Sequence, residues 1–157
     1  MQRRMMRMAL VSAALVLGPT PAAAQVPDTA GLAQAVGAFL VETVVPQVGR
    51  RNRLEVSAPS TAFDSAVAVF LQAAPEAALP PRRGYRNWIV TRHLDFRGDT
   101  AVVLVEQGTG WPAPVDDPYA LTFFVDQNNF FFVRDPAGWR YVRRAFHSHA
   151  DGGAVRG

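Results

Sequence analysis

Residues 87–108, NWIVTRHLDFRGDTAVVLVEQG, decide the fold. Before them apolar residues recur at helical spacing; from Asn87 onward they alternate, which is the period of an extended strand. Trp88, Val90, Leu94 and Phe96 fall on one face of a first strand, the expected core face, with Thr91, His93 and Asp95 on the other. Arg97-Gly98-Asp99 reads as a tight turn, since glycine supplies the positive φ that such turns demand. Thr100 to Gln107 then returns as a Val-rich strand.

Toward the C-terminus, Gly108 to Pro118 is predicted to be a loop holding Trp111 and the pair Asp116-Asp117. Tyr119 to Asp126 and Phe130 to Arg134 are predicted to form a second hairpin turning at Gln127-Asn128-Asn129. Asp135 to Gly138 reads as a turn, Trp139 to His147 as the last long strand, and residues 148–157 as a flexible tail. Toward the N-terminus, residues 28–44 predict an amphipathic helix. Asp28 is placed to cap it, Leu32, Val36, Phe39, Leu40 and Val44 form its apolar stripe, and Pro46 ends it. Residues 53–57 alternate and suit a short edge strand. A second helix is expected over 61–74, where Thr61 and Asp64 have capping-box spacing, Phe63, Val67, Phe70 and Leu71 repeat the stripe, and Pro75 stops it. The expected fold is α+β: two N-terminal helices packed on a curved antiparallel four- to five-stranded sheet.

Composition bounds the function. The chain has 157 residues, enough for one domain, and its 49% hydrophobic and 18% charged content excludes intrinsic disorder. All 16 basic side chains are Arg, so Schiff-base chemistry is excluded; with no Cys, so are thiol catalysis, disulfides and thiolate metal sites. Residues 1–24 read as a secretory signal: Arg3, Arg4 and Arg7, a short apolar run from Met8 to Leu17, then Ala22-Ala23-Ala24 for cleavage. The expectation is an exported protein, periplasmic or extracellular, with no membrane anchor after cleavage and a single domain over 25–147. Without the signal there are 13 Arg against 13 acidic residues, a formal charge of zero that removes most of the composition case for nucleic acid or an anionic membrane.

The order helix, helix, hairpins, ending in Gly138-Trp139-Arg140-Tyr141-Val142, resembles the nuclear-transport-factor-two-like superfamily with its cone-shaped cystatin-like fold. Phe96 to Val105, with its Gly-Asp-Thr-Ala-Val core, is similar to the preceding hairpin of that family. The resemblance covers roughly 28–147, and it implies a cone enclosing a pocket. Members include ketosteroid isomerase, small dehydratases, polyketide cyclases and many non-catalytic binding or assembly domains. The polar groups that enter the pocket therefore decide the function.

Several residues are candidates for chemistry. His93 and Asp95 share a strand face and suit an acid–base pair, although that face is also where solvated polar residues belong. Asp64 is accounted for by capping its helix. Tyr85, Tyr119 and Tyr141 are candidate oxyanion donors, although a strand tyrosine is more often an ordinary aromatic with its hydroxyl at the rim. His147 and His149, two apart with Asp151 nearby, have metal-ligand spacing, but a Gly-rich tail offers no supporting shell; no metal and no cofactor are assigned. Arg97-Gly98-Asp99 matches an adhesion tripeptide and is fully explained as a turn. Phe123, Phe124, Phe130, Phe131 and Phe132 put aromatic rings on both faces of their hairpin. One set fills the core; the other needs a cover, from a homodimer partner, an apolar small molecule or the N-terminal helices, and these five with Trp139 are the candidate ligand-binding or dimer-interface residues. The reading is a non-catalytic apolar-ligand-binding or assembly module. The alternative is an isomerase- or dehydratase-like enzyme acting through His93 and Asp95.

Overall fold

A computed structural model describes residues 28–48, 53–57, 59–112 and 120–156, with the backbone alone at 120–121 and 153–156. The expected signal segment lies outside the described residues, as do Asp116, Asp117 and Tyr119.

Helix α1 (Thr29–Phe39) begins as its sequence dictates, with the Asp28 carboxylate accepting from the Gly31 N–H at 2.9 Å. Pro46 does not end this helix as expected. The chain widens into a π turn over Leu40–Val44 and continues as α2 (Val45–Val48). The Val45 N–H reaches back five residues to the Leu40 carbonyl. This wider turn gives the proline ring room that an α-helical turn denies it. Thr29–Val48 is long and apolar enough to cross a membrane by length and composition alone; in the fold its Leu32, Val36, Leu40 and Val45 are core residues.

Helix α3 (Ala62–Ala73) carries the predicted capping box: Thr61 Oγ1 accepts from the Asp64 N–H, and Asp64 Oδ2 accepts from the Thr61 N–H, both at 3.1 Å. A 3-10 turn, Pro75–Ala78, follows it.

The sheet has five strands in sequence order: β1 (Leu54–Val56), β2 (Arg86–Arg97), β3 (Thr100–Pro112), β4 (Ala120–Asp135) and β5 (Gly138–Arg156). The edge strand β1 runs parallel to β2, so the sheet is mixed; every other pairing is antiparallel. Three expectations change. Gly108 to Pro112 extends β3 instead of starting a loop. Gln127-Asn128-Asn129 is not a turn, because β4 runs through it unbroken. The triplet has no glycine to take a left-handed turn conformation, and its side chains find partners along the sheet: Gln127 donates to Glu106 at 3.0 Å and accepts from Ser148 at 2.9 Å. Residues 148–156 are not a loose tail either, since they pair with β4 as far as Ala120 opposite Arg156.

A β-bulge decides which residues of β2 face the core. Thr91 pairs with Val105 and His93 with Leu104, so Arg92 is an extra residue and the alternation changes phase there. Asn87, Ile89 and Thr91 face the helices before the bulge, and Leu94 and Phe96 after it. Trp88 and Val90, expected in the core, therefore lie on the outer face, where Trp88 donates its indole N–H to Glu106 at 3.1 Å. The core fills the space between the inner face and the helices. Ala101, Val103 and Val105 of β3 and Phe130 and Phe132 of β4 meet Leu32, Val36 and Leu40 there. Phe39 caps this cluster, stacked on Tyr141 at 4.1 Å and edge-on to Phe132 at 5.9 Å.

Candidate functional site

The inner face continues past the helix-covered core. Register carries it from Val105 and Asn128 to Gln107 opposite Asp126 and Thr109 opposite Phe124, and β5 adds Phe146 and His149 alongside. Among the described residues only the end of α2 reaches this end, and its rings stay open to water: Phe124 is 43% and Phe146 65% exposed. The end of α2 brings Gln47 and Val48 over Gln107 and Thr109, forming an open cleft of about 250 Å³ floored by Phe124 and Asp126.

Two polar side chains meet at its margin. His149 Nδ1 lies 2.8 Å from Asp126 Oδ1, and the imidazole stands edge-on to the Phe124 ring, with centroids 4.4 Å apart. A carboxylate only accepts hydrogen bonds, so Nδ1 carries the hydrogen in this contact. Nε2 has no partner among the described residues and is left to bond a ligand. Asp126 and His149 retain 26% and 36% of their side-chain exposure, so the pair is reachable yet partly screened from water.

Two other clefts carry less chemistry. One, of about 160 Å³ between α3 and β2, is lined by Asp64, Thr91 and Arg92. Burial opposes ionisation of Asp64, but hydrogen bonds donated by Thr91, Ser60 and Thr61 outweigh it and hold its carboxyl below the usual carboxylate range. An acid this well satisfied serves the fold and is a poor base. Asp64→Asn is expected to cost about 1 kcal/mol through the weakened cap. The sign with pH follows from the lowered value. The Asp64 contribution is complete above the unfolded-state pKa near 4 and fades as pH falls through the folded one. Thermal melts from neutral to acid pH check this: the wild-type advantage over Asp64→Asn should shrink on acidification. The third cleft, about 510 Å³ beside β1, is rimmed by Arg53, Glu55, Gln72 and Tyr85 and holds no matched acid–base pair.

The bulge at Arg92 turns His93 and Asp95 to the outer face. His93 is exposed, Asp95 is ion-paired with Arg97 at 2.8 Å, and neither lines any of the three clefts. His147 and His149 do not share a face. The extra residue opposite Gln127 and Asn128 shifts the alternation, so His147 sits on the outer side near Asn129 (3.4 Å) while His149 reaches Asp126 on the inner side. Among the described residues no three His, Cys, Asp or Glu side chains converge as metal ligands.

The five phenylalanines divide by face. Phe130 and Phe132 are core, Phe124 belongs to the open cleft, and Phe123 and Phe131 lie outside. Trp139 is committed to packing: it lies against the core with Phe96 at 6.1 Å, and its indole N–H donates to the Asp28 carbonyl at 3.0 Å, tying β5 to the start of α1. Tyr141 is stacked under Phe39, and Tyr85 has the Arg82 guanidinium 4.7 Å above its ring. The Asp126–His149 pair was not legible in the sequence. The residues are 23 apart, and only the long β4–β5 register brings them together.

No family model matches the chain, and no curated protein does. It is similar to a solved structure, an NTF2-like protein with a cystatin-like fold from Novosphingobium aromaticivorans, at 23% identity over 71% of this chain and 70% of that one, with a TM-score of 0.29.

Proposed function

We propose that the chain binds a small apolar molecule on the uncovered end of the inner face, with His149 and Asp126 orienting its polar group. The observation behind this reading is the pairing of exposed Phe124 and Phe146 with a hydrogen-bonded Asp126–His149 contact on one face. Apolar rings left in water favour a partner at roughly 25 cal/mol per Å² buried. A polar pair beside them supplies orientation, the usual division of labour in a ligand site. A cleft of about 250 Å³ suits one or two fused rings. His149 Nε2 takes a hydrogen bond from a ligand hydroxyl when neutral and donates one when protonated.

The same contact favours a second reading, in which the pair performs acid–base chemistry of the isomerase or dehydratase kind. A carboxylate on Nδ1 holds the imidazole in one tautomer and stabilises the imidazolium, leaving Nε2 to take a proton from substrate. The acid–base role thus moves from His93 and Asp95 to His149 and Asp126.

Fluorescence titration with 2-naphthol, a bicyclic ring carrying one hydroxyl, tests the binding reading. The wild type should bind saturably, and Phe124→Ser and His149→Ala should each weaken binding about tenfold or more, which corresponds to about 1.4 kcal/mol. His93→Ala, on the outer face, should leave it unchanged. Equal affinity across all four proteins, or no saturable binding to the wild type, contradicts the proposal.

A further inference from the structure

The cleft of about 510 Å³ beside β1 carries positive charge that nothing within it balances. Arg53 lines it, exposed and with no carboxylate partner among the described residues. Glu55 is the one acid among its lining residues, and that carboxylate is taken: its Oε2 accepts from Nε and Nη2 of Arg86 at 2.9 and 2.7 Å.

A second guanidinium stands at the margin. Arg82 follows Pro81 and lies 4.7 Å over the Tyr85 ring, and both of those residues line the cleft. It too has no carboxylate partner among the described residues. The turn that presents it is fixed in shape. The Tyr85 N–H donates to the Arg82 carbonyl at 3.0 Å, and Gly84 takes a φ of +75°, where a Cβ would also run into Pro112. Stacking on Tyr85 occupies the face of the guanidinium and leaves its N–H edge free, and that edge is what forks onto a carboxylate.

We propose that this cleft binds a small organic acid, with Arg53 and Arg82 holding its carboxylate and the apolar lining taking its body. Two cations without acids select an anion. Leu54, Val56, Ala77 and Pro81 beside them favour one with an apolar body over a bare inorganic ion. Gln72 and Tyr85 add a neutral amide and a hydroxyl to the rim, and the volume lies within the usual range for a small-molecule site. The cleft follows β1, at the opposite edge of the sheet from β5 and His149, and it takes a charged ligand. This proposal and the one for the Phe124 cleft therefore stand or fall separately.

The test is fluorescence titration with 2-naphthoate at neutral pH and low salt, with 2-naphthamide as the uncharged counterpart and circular dichroism to confirm folding. Wild type should bind 2-naphthoate saturably and about tenfold or more tighter than the amide. Phe124→Ser should leave this binding in place, which separates it from binding at the other cleft. Gln72 is exposed near the end of α3, so its charge variants report on the cleft without touching the core. Gln72→Glu and Arg53→Glu should each weaken binding about tenfold, and Gln72→Lys should tighten it severalfold. Arg140→Gln, on β5, should change nothing. No saturable binding, equal affinity for the amide, binding lost with Phe124→Ser, or Gln72→Glu and Gln72→Lys failing to move the affinity in opposite directions overturns the proposal.

Discussion

Phe132→Ala is expected to lower stability by about 3–5 kcal/mol, the range for emptying a fully buried aromatic site. Phe132 is 0% exposed and sits where β4 passes beneath the helices, touched edge-on by Phe39 at 5.9 Å and by Tyr141 at 5.9 Å. These rings are held from two directions, Phe39 by its helix and Tyr141 by β5, so neither can collapse into the cavity. In a chain of this length such a loss corresponds to a fall of about 6–20 °C in melting temperature. Calorimetry checks it, with Phe131→Ala as the comparison. Phe131 is half-buried on the outer face, and its loss should cost the fold much less.

The second large effect is at Gly37, inside α1. Helix propensity alone says that Gly37→Ala should stabilise by up to about 1 kcal/mol. The packing says the opposite. A Cβ there would lie 2.5 Å from Cγ and Cδ2 of Phe70 and 2.8 Å from its Cβ, so it meets the root of that side chain. Phe70 cannot swing clear of a contact at its own Cβ, and α1 must move away from α3. Overpacking of this kind costs about 1–3 kcal/mol beyond the propensity gain, so net destabilisation is the expected result of a denaturant melt. Gly98→Ala gives the contrast: its Cβ would meet nothing within 4 Å, and only the φ of +60° opposes the substitution.

The general architecture was legible because it rests on local signals. The change of apolar period at Asn87, the Thr61–Asp64 capping box and the Asp28 cap each occupy a few residues, and each is in place. What escaped the sequence has non-local causes. A strand face can be read only while alternation holds, and the extra residue at Arg92 reverses it midway, exchanging Trp88 and Val90 for Ile89 and Thr91 on the core side. The irregularity near His147 likewise parts two histidines that simple alternation would align. Gln127-Asn128-Asn129 has turn composition, yet Glu106 and Ser148 on the neighbouring strands satisfy Gln127 and favour continuation. The parallel pairing of β1 and the π turn before Pro46 both depend on packing that no short window encodes.

The candidate site was hidden for the same reason. Phe124 was recognisable as a candidate for an apolar ligand or a dimer interface and His149 as a candidate metal ligand, but nothing local joined the two. Only the long β4–β5 pairing, continuing where a turn and a tail were expected, sets the His149 ring against Phe124 and its Nδ1 against Asp126.

Three histidines make ligand binding beside Asp126 directly measurable, because one lies in the site while the described structure puts His93 and His147 on the outer face. Imidazole resonances of histidine-labelled protein, assigned by single His→Gln variants, should be followed during titration with 2-naphthol. The His149 signals are expected to move saturably while those of His93 and His147 stay in place. A His149 resonance unmoved by the ligand, or shifts confined to His93 or His147, would contradict binding there.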